Sequence, residues 1–232
     1  QGSVHKREAL LLYLPEGVAE GKMRILIFGK QASGKGTQAK LISEKYKIQH
    51  IATGDIFRNI RKEDSELGKK VRALIDGGKL VPDDVTTEIV MREIKKAGKG
   101  FILDGYPRNL AQVHAFVKVP VDIALLIEIS DAEAIKRMSA RRICIKCGEI
   151  YNVLTKKPKQ EGKCDKCSGE VVQRDDDKPA SIKERLATYK KETAPIMDFY
   201  KKKGLLKEVD GTRPIEGIFR EICRILDGIK TS

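Results

Sequence analysis

The sequence predicts an α/β protein with a parallel β-sheet that is covered by helices on both faces. Three observations support this class. Apolar runs of strand length alternate with helical patterns along most of the 232 residues, and strands that alternate with helices usually pair in parallel. The first strand leads through a glycine-rich turn directly into a helix, as in sheets that bind ligands at the carboxyl ends of their strands. A single cysteine-rich segment breaks the alternation and indicates a small inserted lobe.

The glycine-rich turn reads GKQASGKGT over residues 29–37. Between a strand and a helix, the spacing G-x4-G-K is typical of a P-loop, because Gly29 and Gly34 allow successive N–H groups to point at phosphate oxygens. Lys35 adds a positive charge beside the β- and γ-phosphates, and the helix N-terminus favours the same anion. In the common pattern Ser or Thr follows the lysine directly, whereas here a glycine precedes Thr37. The alternative is a structural turn with a chance lysine, but the flanking elements favour a nucleoside triphosphate site.

The rest of the chain continues the alternation. Further strands are predicted at 49–51, at 100–104, at 121–129 and at 205–211. Further helices are predicted from Asp55, at 67–75, at 82–96, from the fourth strand to Arg141, at 178–200 with an interruption at Pro195, and at 215–226. Because the carboxyl ends of parallel strands meet at one edge of the sheet, we expect Gly29, Asp55 and Asp104 to lie close together.

Composition and charge restrict the class of protein. A hydrophobic fraction of 41% is ordinary for a globular chain with one sizeable core. No apolar run approaches the roughly 20 residues that span a bilayer, and no secretory signal pattern is present, so we expect a cytoplasmic protein without a membrane partner. The net charge of +13 favours a polyanionic partner such as nucleotide phosphates or nucleic acid. A solvated surface rich in Lys and Glu, typical of heat-adapted proteins, is the alternative.

Four cysteines in the segment 143–173 form two pairs, Cys144-x2-Cys147 and Cys164-x2-Cys167. Two such pairs separated by sixteen residues match a tetrahedral four-cysteine zinc site, since each pair wraps one side of the ion. Because all four positions are filled by protein, the ion is expected to be structural. Disulfides are the competing interpretation, and a cytoplasmic chain disfavours them.

Several motifs together identify a family. In their order and spacing, these motifs resemble those of the adenylate kinases whose lid carries zinc. They read GKQASGKGTQ, ATGDIFR, GKLV, GFILDGYPRN, RMSARR, QRDDD and VDGTRP. The resemblance covers residues 23–229. A glycine between the lysine and the threonine of the P-loop, as at Gly36, is a feature of this family. The chain departs from the family pattern at Gln31 and Ala32, where Pro and Gly are common, and at Tyr106, where Phe is common.

The resemblance implies a P-loop NTPase-type sheet with an inserted lobe that binds the nucleoside monophosphate and a four-cysteine zinc lid. The implied core comprises residues 23–51, 82–140 and 178–232, the lobe residues 52–81 and the lid residues 141–177, while residues 1–22 form an N-terminal arm or tail. The implied reaction is reversible phosphoryl transfer from ATP with Mg²⁺ to AMP, giving two ADP. The family resemblance also implies a monomer, with the arm as a possible site of oligomerisation.

The resemblance assigns roles to individual residues. The implied ATP-binding residues are Gly29, Ala32, Ser33, Gly34, Lys35, Gly36, Thr37, Arg137, Arg141 and Arg213. The implied AMP-binding residues are Thr53, Arg58, Lys79, Val81, Gly105, Arg108, Gln112, Arg174 and Arg185. Catalytic cations are Lys35, Arg108, Arg141, Arg174 and Arg185, and the magnesium shell involves Thr37, Asp55 and Asp104. Phosphoryl transfer requires in-line positioning and charge neutralisation, so a convergence of cations agrees with the chemistry independently.

Three other functions compete with this one. A kinase that acts on UMP or CMP, or a GTP:AMP phosphotransferase, would share most motifs, although Thr53 and Gln112 favour AMP as acceptor. A zinc-ribbon ATPase that binds nucleic acid would explain the positive charge and the cysteine pairs. It should then interleave basic and aromatic residues, but Tyr151 is the only aromatic residue between Cys147 and Cys164. The acceptor motifs would also be unexplained, so we expect no nucleic-acid partner.

Overall fold

A computed structural model describes residues 23–60, 63–76, 81–174 and 177–230 of the chain. The predicted N-terminal arm and Lys79 lie outside these residues. The main sheet has five strands in the order β2-β3-β1-β4-β8, all parallel. Its strands are β1 (Met23–Phe28), β2 (Gln49–Ala52), β3 (Gly100–Asp104), β4 (Ile123–Glu128) and β8 (Leu206–Asp210). The predicted parallel α/β class is confirmed.

Helices follow these strands in the expected alternation. They are α1 (Lys35–Tyr46), α2 (Thr53–Ile60), α3 (Glu66–Asp76), α4 (Asp83–Lys96), α5 (Leu110–Phe116), α6 (Asp131–Ala140), α7 (Pro179–Thr188), α8 (Ala194–Lys202) and α9 (Ile215–Lys230). Among the residues described here, no helix is long and apolar enough to cross a membrane. The short helix α5 was not predicted. Asn109 caps its N-terminus by accepting a hydrogen bond from the Gln112 backbone N–H at 2.8 Å.

Both faces of the three central strands β1, β3 and β4 are buried, which explains why these strands are almost continuously apolar. Successive residues of a strand point to opposite faces. Leu26 and Phe28 pack on one face with residues of α4, α5 and α8. Ile25 and Ile27 pack on the other face with residues of α1 and α9. The two layers of helices therefore fix the strand ends, where the candidate site lies.

The segment after α6 forms a second, smaller sheet that the sequence did not predict. Its three antiparallel strands have the order β6-β5-β7 and comprise β5 (Arg141–Cys144), β6 (Ile150–Asn152) and β7 (Val171–Val172). Its small core consists of Tyr151, Cys144 and Cys164, with Cys167 and Val171 packed against them. A core of this size is too small to stabilise a lobe without further cross-links.

The predicted interruption of the long C-terminal helical region lies elsewhere than at Pro195. A π-helical segment, Tyr189–Thr193, separates α7 from α8, and Pro195 lies in the first turn of α8. Proline has no backbone N–H to donate, so the irregular hydrogen bonding falls in the turn before it. The prediction was correct about the cause and wrong about the position by a few residues.

Candidate active site

The loop between β1 and α1 wraps closely around the end of the sheet. Gly29 and Gly34 have φ angles of 142° and 101°. A Cβ added to Gly29 would lie 2.4 Å from the carbonyl oxygen of Ile127, so no side chain fits there. Lys35 donates a hydrogen bond from Nζ to the carbonyl oxygen of Lys30 at 2.9 Å. The loop thereby holds its own lysine against the backbone. Gly36 and Thr37 follow Lys35 in the first turn of α1.

The loop contains Ala32, at a position where the family commonly has Gly. Ala32 has a φ of 60°, a conformation that costs a residue with a Cβ about 1–2 kcal/mol. Its methyl group packs against a buried apolar cluster of α6 and α7 residues: Ile129 before α6, Ala134, Met138, Ile182 and Leu186. Its neighbour Ser33 is fully buried. Contact with this cluster offsets part of the backbone strain and ties the loop to the helices that flank the small sheet.

Several positive charges converge on Lys35. Burial and, to a smaller extent, the nearby charges of Arg108, Arg141 and Arg185 lower its pKa to about 8, while Asp104 opposes the shift. These three arginines come from the loop after β3, from the start of β5 and from α7. Like charges repel, so this arrangement is unfavourable without an anion. A bound polyanion would relieve the repulsion.

Asp104 ends β3 next to Lys35 and stays ionised. Desolvation would raise its pKa, but the proximity of His50 and the charges of Lys35 and Arg108 outweigh that effect and lower it. The His50 Nε2 atom lies 3.8 Å from Asp104 Oδ2. Strand pairing explains this proximity, because β2 lies beside β3 with Ala52 opposite Asp104. The carboxylate therefore offers hard anionic oxygens of the kind that magnesium prefers.

A buried carboxylate joins two of the predicted arginines. Asp177 is fully buried and accepts hydrogen bonds from Arg141 Nε at 2.7 Å and Nη2 at 2.5 Å. Arg185 Nη1 lies 3.1 Å from the same carboxylate. The bidentate geometry fixes the plane of the Arg141 guanidinium. Asp177 was not predicted as a site residue, although the acidic run QRDDD could have indicated a partner for arginines.

The predicted acceptor residues form one hydrogen-bonded cluster. Thr53 donates from Oγ1 to the Gly105 carbonyl at 2.9 Å, and Arg108 donates from Nε to the same carbonyl at 2.7 Å. Arg108 Nη2 also lies 3.3 Å from Thr53 Oγ1. Gln112, only 4% exposed, accepts a hydrogen bond at Oε1 from the Arg108 backbone N–H at 2.7 Å. Its Nε2 donates to Asp83 Oδ1 at 2.6 Å, a partner that the sequence did not reveal.

Other predicted residues lie further out or pair elsewhere. Arg137 forms an ion pair with Glu133 on its own helix at 2.7 Å, and Arg213 pairs with Asp210 and Glu221. Asp55 lies exposed in the first turn of α2, Val81 packs with the apolar cluster of α2, α3 and α4, and Arg174 follows β7. Lys79 lies outside the described residues, as does the side chain of Arg58.

The four cysteines predicted to bind metal lie together. The sulfur atoms of Cys144, Cys147, Cys164 and Cys167 all lie within 4.8 Å of one another. Two of the distances, from Cys144 to Cys167 and from Cys147 to Cys164, are 3.5 Å. The Tyr151 hydroxyl donates to the Cys164 sulfur at 3.4 Å and lowers the pKa of that thiol to about 6. The fifth cysteine, Cys223, is buried in α9.

Comparison with known proteins identifies the family of the chain. The family model described as "Adenylate kinase" matches residues 27–205. The chain is 44% identical to an adenylate kinase of Archaeoglobus fulgidus over 217 residues, which are 90% of this chain and 100% of the relative. It is 46% identical to an adenylate kinase of Clostridium botulinum over 212 residues, and 45% identical to one of Acetivibrio thermocellus over 216 residues. These alignments cover 88% and 90% of this chain, and 98% and 100% of the relatives. The chain belongs to the adenylate kinase family.

Proposed function

We propose that this protein transfers the γ-phosphoryl group of Mg²⁺-bound ATP reversibly to AMP, so that two ADP are formed. The observation that carries the proposal is the convergence of Arg108, Arg141 and Arg185 on Lys35 beside a P-loop. Phosphoryl transfer spreads charge over the equatorial oxygens of the transferred group, and fixed cations at that point stabilise it. A role in adenine nucleotide homeostasis follows from the reaction.

On the donor side, the loop amides and Lys35 bind the β- and γ-phosphates. Thr37, Asp55 and Asp104 order the magnesium ion that arrives with ATP, together with its water molecules. The lowered pKa of Asp104 supports this role, since an ionised carboxylate is needed. Arg137 stacks on the donor base and Arg213 lies beside it. The rest of the donor set is Gly29, Ala32, Ser33, Gly34 and Gly36.

On the acceptor side, Arg58 and Arg108 bind the AMP phosphate, with Arg174 and Arg185 placed toward the transferred group. Guanidinium groups suit this task because their planar fork binds phosphate oxygens in pairs. Thr53 and Gln112 contact the adenine. Lys79, Val81 and Gly105 complete the acceptor set. The hydrogen-bonded cluster of Thr53, Gly105, Arg108 and Gln112 supports a single continuous acceptor pocket.

The chemical step needs no general base, because the attacking oxygen of AMP is already ionised at neutral pH. The main requirement is instead to exclude water, which would otherwise hydrolyse ATP. We assign this task to closure of residues 141–177 over the core at residues 23–51, 82–140 and 178–232, with residues 52–81 closing over AMP. Arg141 lies at the junction of α6 and the small sheet, so closure moves it relative to Lys35.

The four cysteines fit a structural zinc ion. Tetrahedral zinc with sulfur at about 2.3 Å places the sulfur atoms about 3.8 Å apart, close to the two distances of 3.5 Å. Zinc would cross-link the two turns of a lobe whose apolar core is only a few residues. It would supply folding free energy there and would take no part in the reaction. A cytoplasmic location and a monomeric state remain predictions.

The experiment that tests this function is a coupled assay of ADP formation from Mg²⁺-ATP, run with and without AMP. We expect ADP formation to depend on AMP. ATP hydrolysis at the same rate without AMP would instead favour an ATPase of another class. Replacing AMP by UMP or CMP, and ATP by GTP, separates the other nucleotide kinases from the proposed one.

A further inference from the structure

A closed ring of hydrogen bonds surrounds the side chain that is proposed to contact the acceptor base. Asp83, in the first turn of α4, accepts from Gln112 Nε2 at 2.6 Å with one oxygen and from Asn109 Nδ2 at 2.9 Å with the other. Asn109 in turn accepts from the Gln112 backbone N–H at 2.8 Å. Asp83 therefore fixes both the amide of Gln112 and the cap of the helix that carries it.

The ring, together with the backbone N–H of Arg108, permits only one orientation of the Gln112 amide. In the observed orientation, Nε2 faces the Asp83 carboxylate and Oε1 faces the Arg108 backbone N–H at 2.7 Å. A reversed amide would place Oε1 against a carboxylate, which is an acceptor only, and the NH₂ group against a backbone N–H, which is a donor only. Both contacts would then be repulsive. The two partners thus determine on which side the NH₂ group of the amide lies and on which side its oxygen lies.

The backbone of Gln112 is held as well. The Tyr106 hydroxyl lies 3.4 Å from the Gln112 carbonyl oxygen and 2.9 Å from Thr87 Oγ1. Asp83 and Thr87 are four residues apart and so lie on the same face of α4. Helix α4 thereby supports Gln112 at its amide through Asp83 and at its carbonyl through Tyr106. Tyr106 stands where the family commonly has Phe, which lacks the hydroxyl.

A fixed amide can distinguish two classes of base. An amide has two N–H groups and two carbonyl lone pairs, so one of each remains for a ligand after Asp83 and Arg108 are satisfied. Adenine offers the complementary pair, an acceptor at N1 and a donor at its 6-amino group. Hypoxanthine and guanine offer the opposite pair, an N1–H donor and a 6-oxo acceptor. They would match only the reversed amide.

We propose that Asp83 is a specificity-determining positioning residue, which locks the Gln112 amide and so selects a 6-amino over a 6-oxo purine nucleoside monophosphate. The inference rests on the proposed function, since it requires Gln112 to contact the acceptor base. Asp83 itself acts through Gln112 and touches no substrate. Rejection of the 6-oxo base follows because buried polar groups would be left facing groups of the same kind.

The test compares AMP with IMP, which differs from AMP in the 6-substituent and N1 protonation. The Asp83→Asn side chain keeps one acceptor oxygen for two donors, those of Gln112 and Asn109, and loses the charge. We expect Asp83→Asn to lower kcat/KM for AMP through KM and to reduce the AMP:IMP ratio of kcat/KM roughly tenfold, the difference between a charge-assisted and a neutral hydrogen bond. The matched control is Asp84→Asn, which removes a neighbouring carboxylate from the same helical turn. The AMP:IMP ratio of Asp84→Asn should equal that of the unmodified protein. The KM for ATP should be unchanged in both variants.

A double variant separates positioning from a general effect on folding. In a Gln112→Ala background, Asp83→Asn should leave the AMP:IMP ratio unchanged, because the group that it positions is absent. Calorimetric binding of AMP and IMP gives the same ratio without turnover. A ratio in Asp83→Asn within about twofold of the unmodified protein, or an equal change in both backgrounds, would overturn the proposal. Failure of the unmodified protein to phosphorylate AMP would instead contradict the proposed function.

Discussion

At the scale of single residues, the charge of Lys35 depends on what the site holds. Its pKa of about 8 means that the ammonium is only partly protonated in mildly alkaline solution. The phosphates of a bound nucleotide favour the charged form and raise this pKa. Binding should therefore take up a proton at any pH between the pKa of the free site and that of the complex.

The first prediction concerns this linkage. Between about pH 7 and about pH 9.5, the affinity for Mg²⁺-ATP should fall as the pH rises through the pKa of the free site. The measurement is isothermal titration calorimetry in two buffers of different ionisation enthalpy, which reports the proton uptake. Lys35→Arg should abolish the uptake, because a guanidinium stays charged over this range. An affinity that is constant across this window would contradict the assigned role of Lys35.

The second prediction concerns the size of the electrostatic contribution. Lys35→Ala and Arg108→Ala should each lower kcat by on the order of 10²-fold or more, since each removes a charge from the point where phosphoryl transfer occurs. Lys40→Ala, an exposed lysine on the same helix as Lys35, serves as the control and should retain full activity. Circular dichroism would establish that the variants fold. Near-normal turnover in Lys35→Ala would rule out the proposed donor site.

Without the family resemblance, the sequence indicates candidate site residues only where local spacing determines the chemistry. Gly29, Gly34 and Lys35 belong to one loop, and Asp104 ends a strand whose apolar pattern is clear. Asp177 and Asp83 were missed because their roles depend on partners 36 and 29 residues away in the chain. The acidic run QRDDD is a weak local signal for Asp177, and no local pattern distinguishes Asp83 from an ordinary surface charge.

At the scale of elements, the small sheet is built around a cluster of four cysteines. The spacing of the cysteine pairs predicted the cluster correctly, because a C-x2-C turn brings two sulfur atoms to one point. The three strands around it were not predicted. The strands are only four, three and two residues long, so they contain too few apolar positions to produce an alternating pattern.

The third prediction is that the chain binds one zinc ion at this cluster. Removal with a chelator should lower the thermal stability of residues 141–177 much more than that of the main core, which calorimetry and hydrogen exchange can separate. Cys147→Ser should reduce the zinc content measured by elemental analysis. Cys223→Ser, outside the cluster, should leave it at one per chain. A metal-free protein with disulfides between the pairs would contradict the assignment.

At the scale of the whole molecule, the proposed donor and acceptor pockets differ in how they would contact a base. The acceptor side has the oriented amide of Gln112. On the donor side, Arg137 can stack on any base, and the segment 211–214 offers backbone groups without an adenine-reading side chain. The two sides of one protein should therefore differ in selectivity.

The fourth prediction follows from this difference. GTP, CTP and UTP should all phosphorylate AMP measurably, whereas GMP, CMP and UMP should be poor acceptors for ATP. An unpaired buried polar group costs about 1–3 kcal/mol, which corresponds to roughly tenfold or more in acceptor preference. The measurement is a matrix of four donors and four acceptors. Strict dependence on ATP together with a promiscuous acceptor pocket would reverse the assignment of the two pockets.

The central claim is that the γ-phosphoryl group passes directly from ATP to AMP within a site that excludes water. The most direct measurement follows ATP labelled at the γ-phosphate in the presence of Mg²⁺ and AMP. Direct transfer places the label in the β-phosphate of the ADP that forms from AMP, while inorganic phosphate stays at the background level. Release of the label as inorganic phosphate, at a rate that AMP does not change, would contradict it.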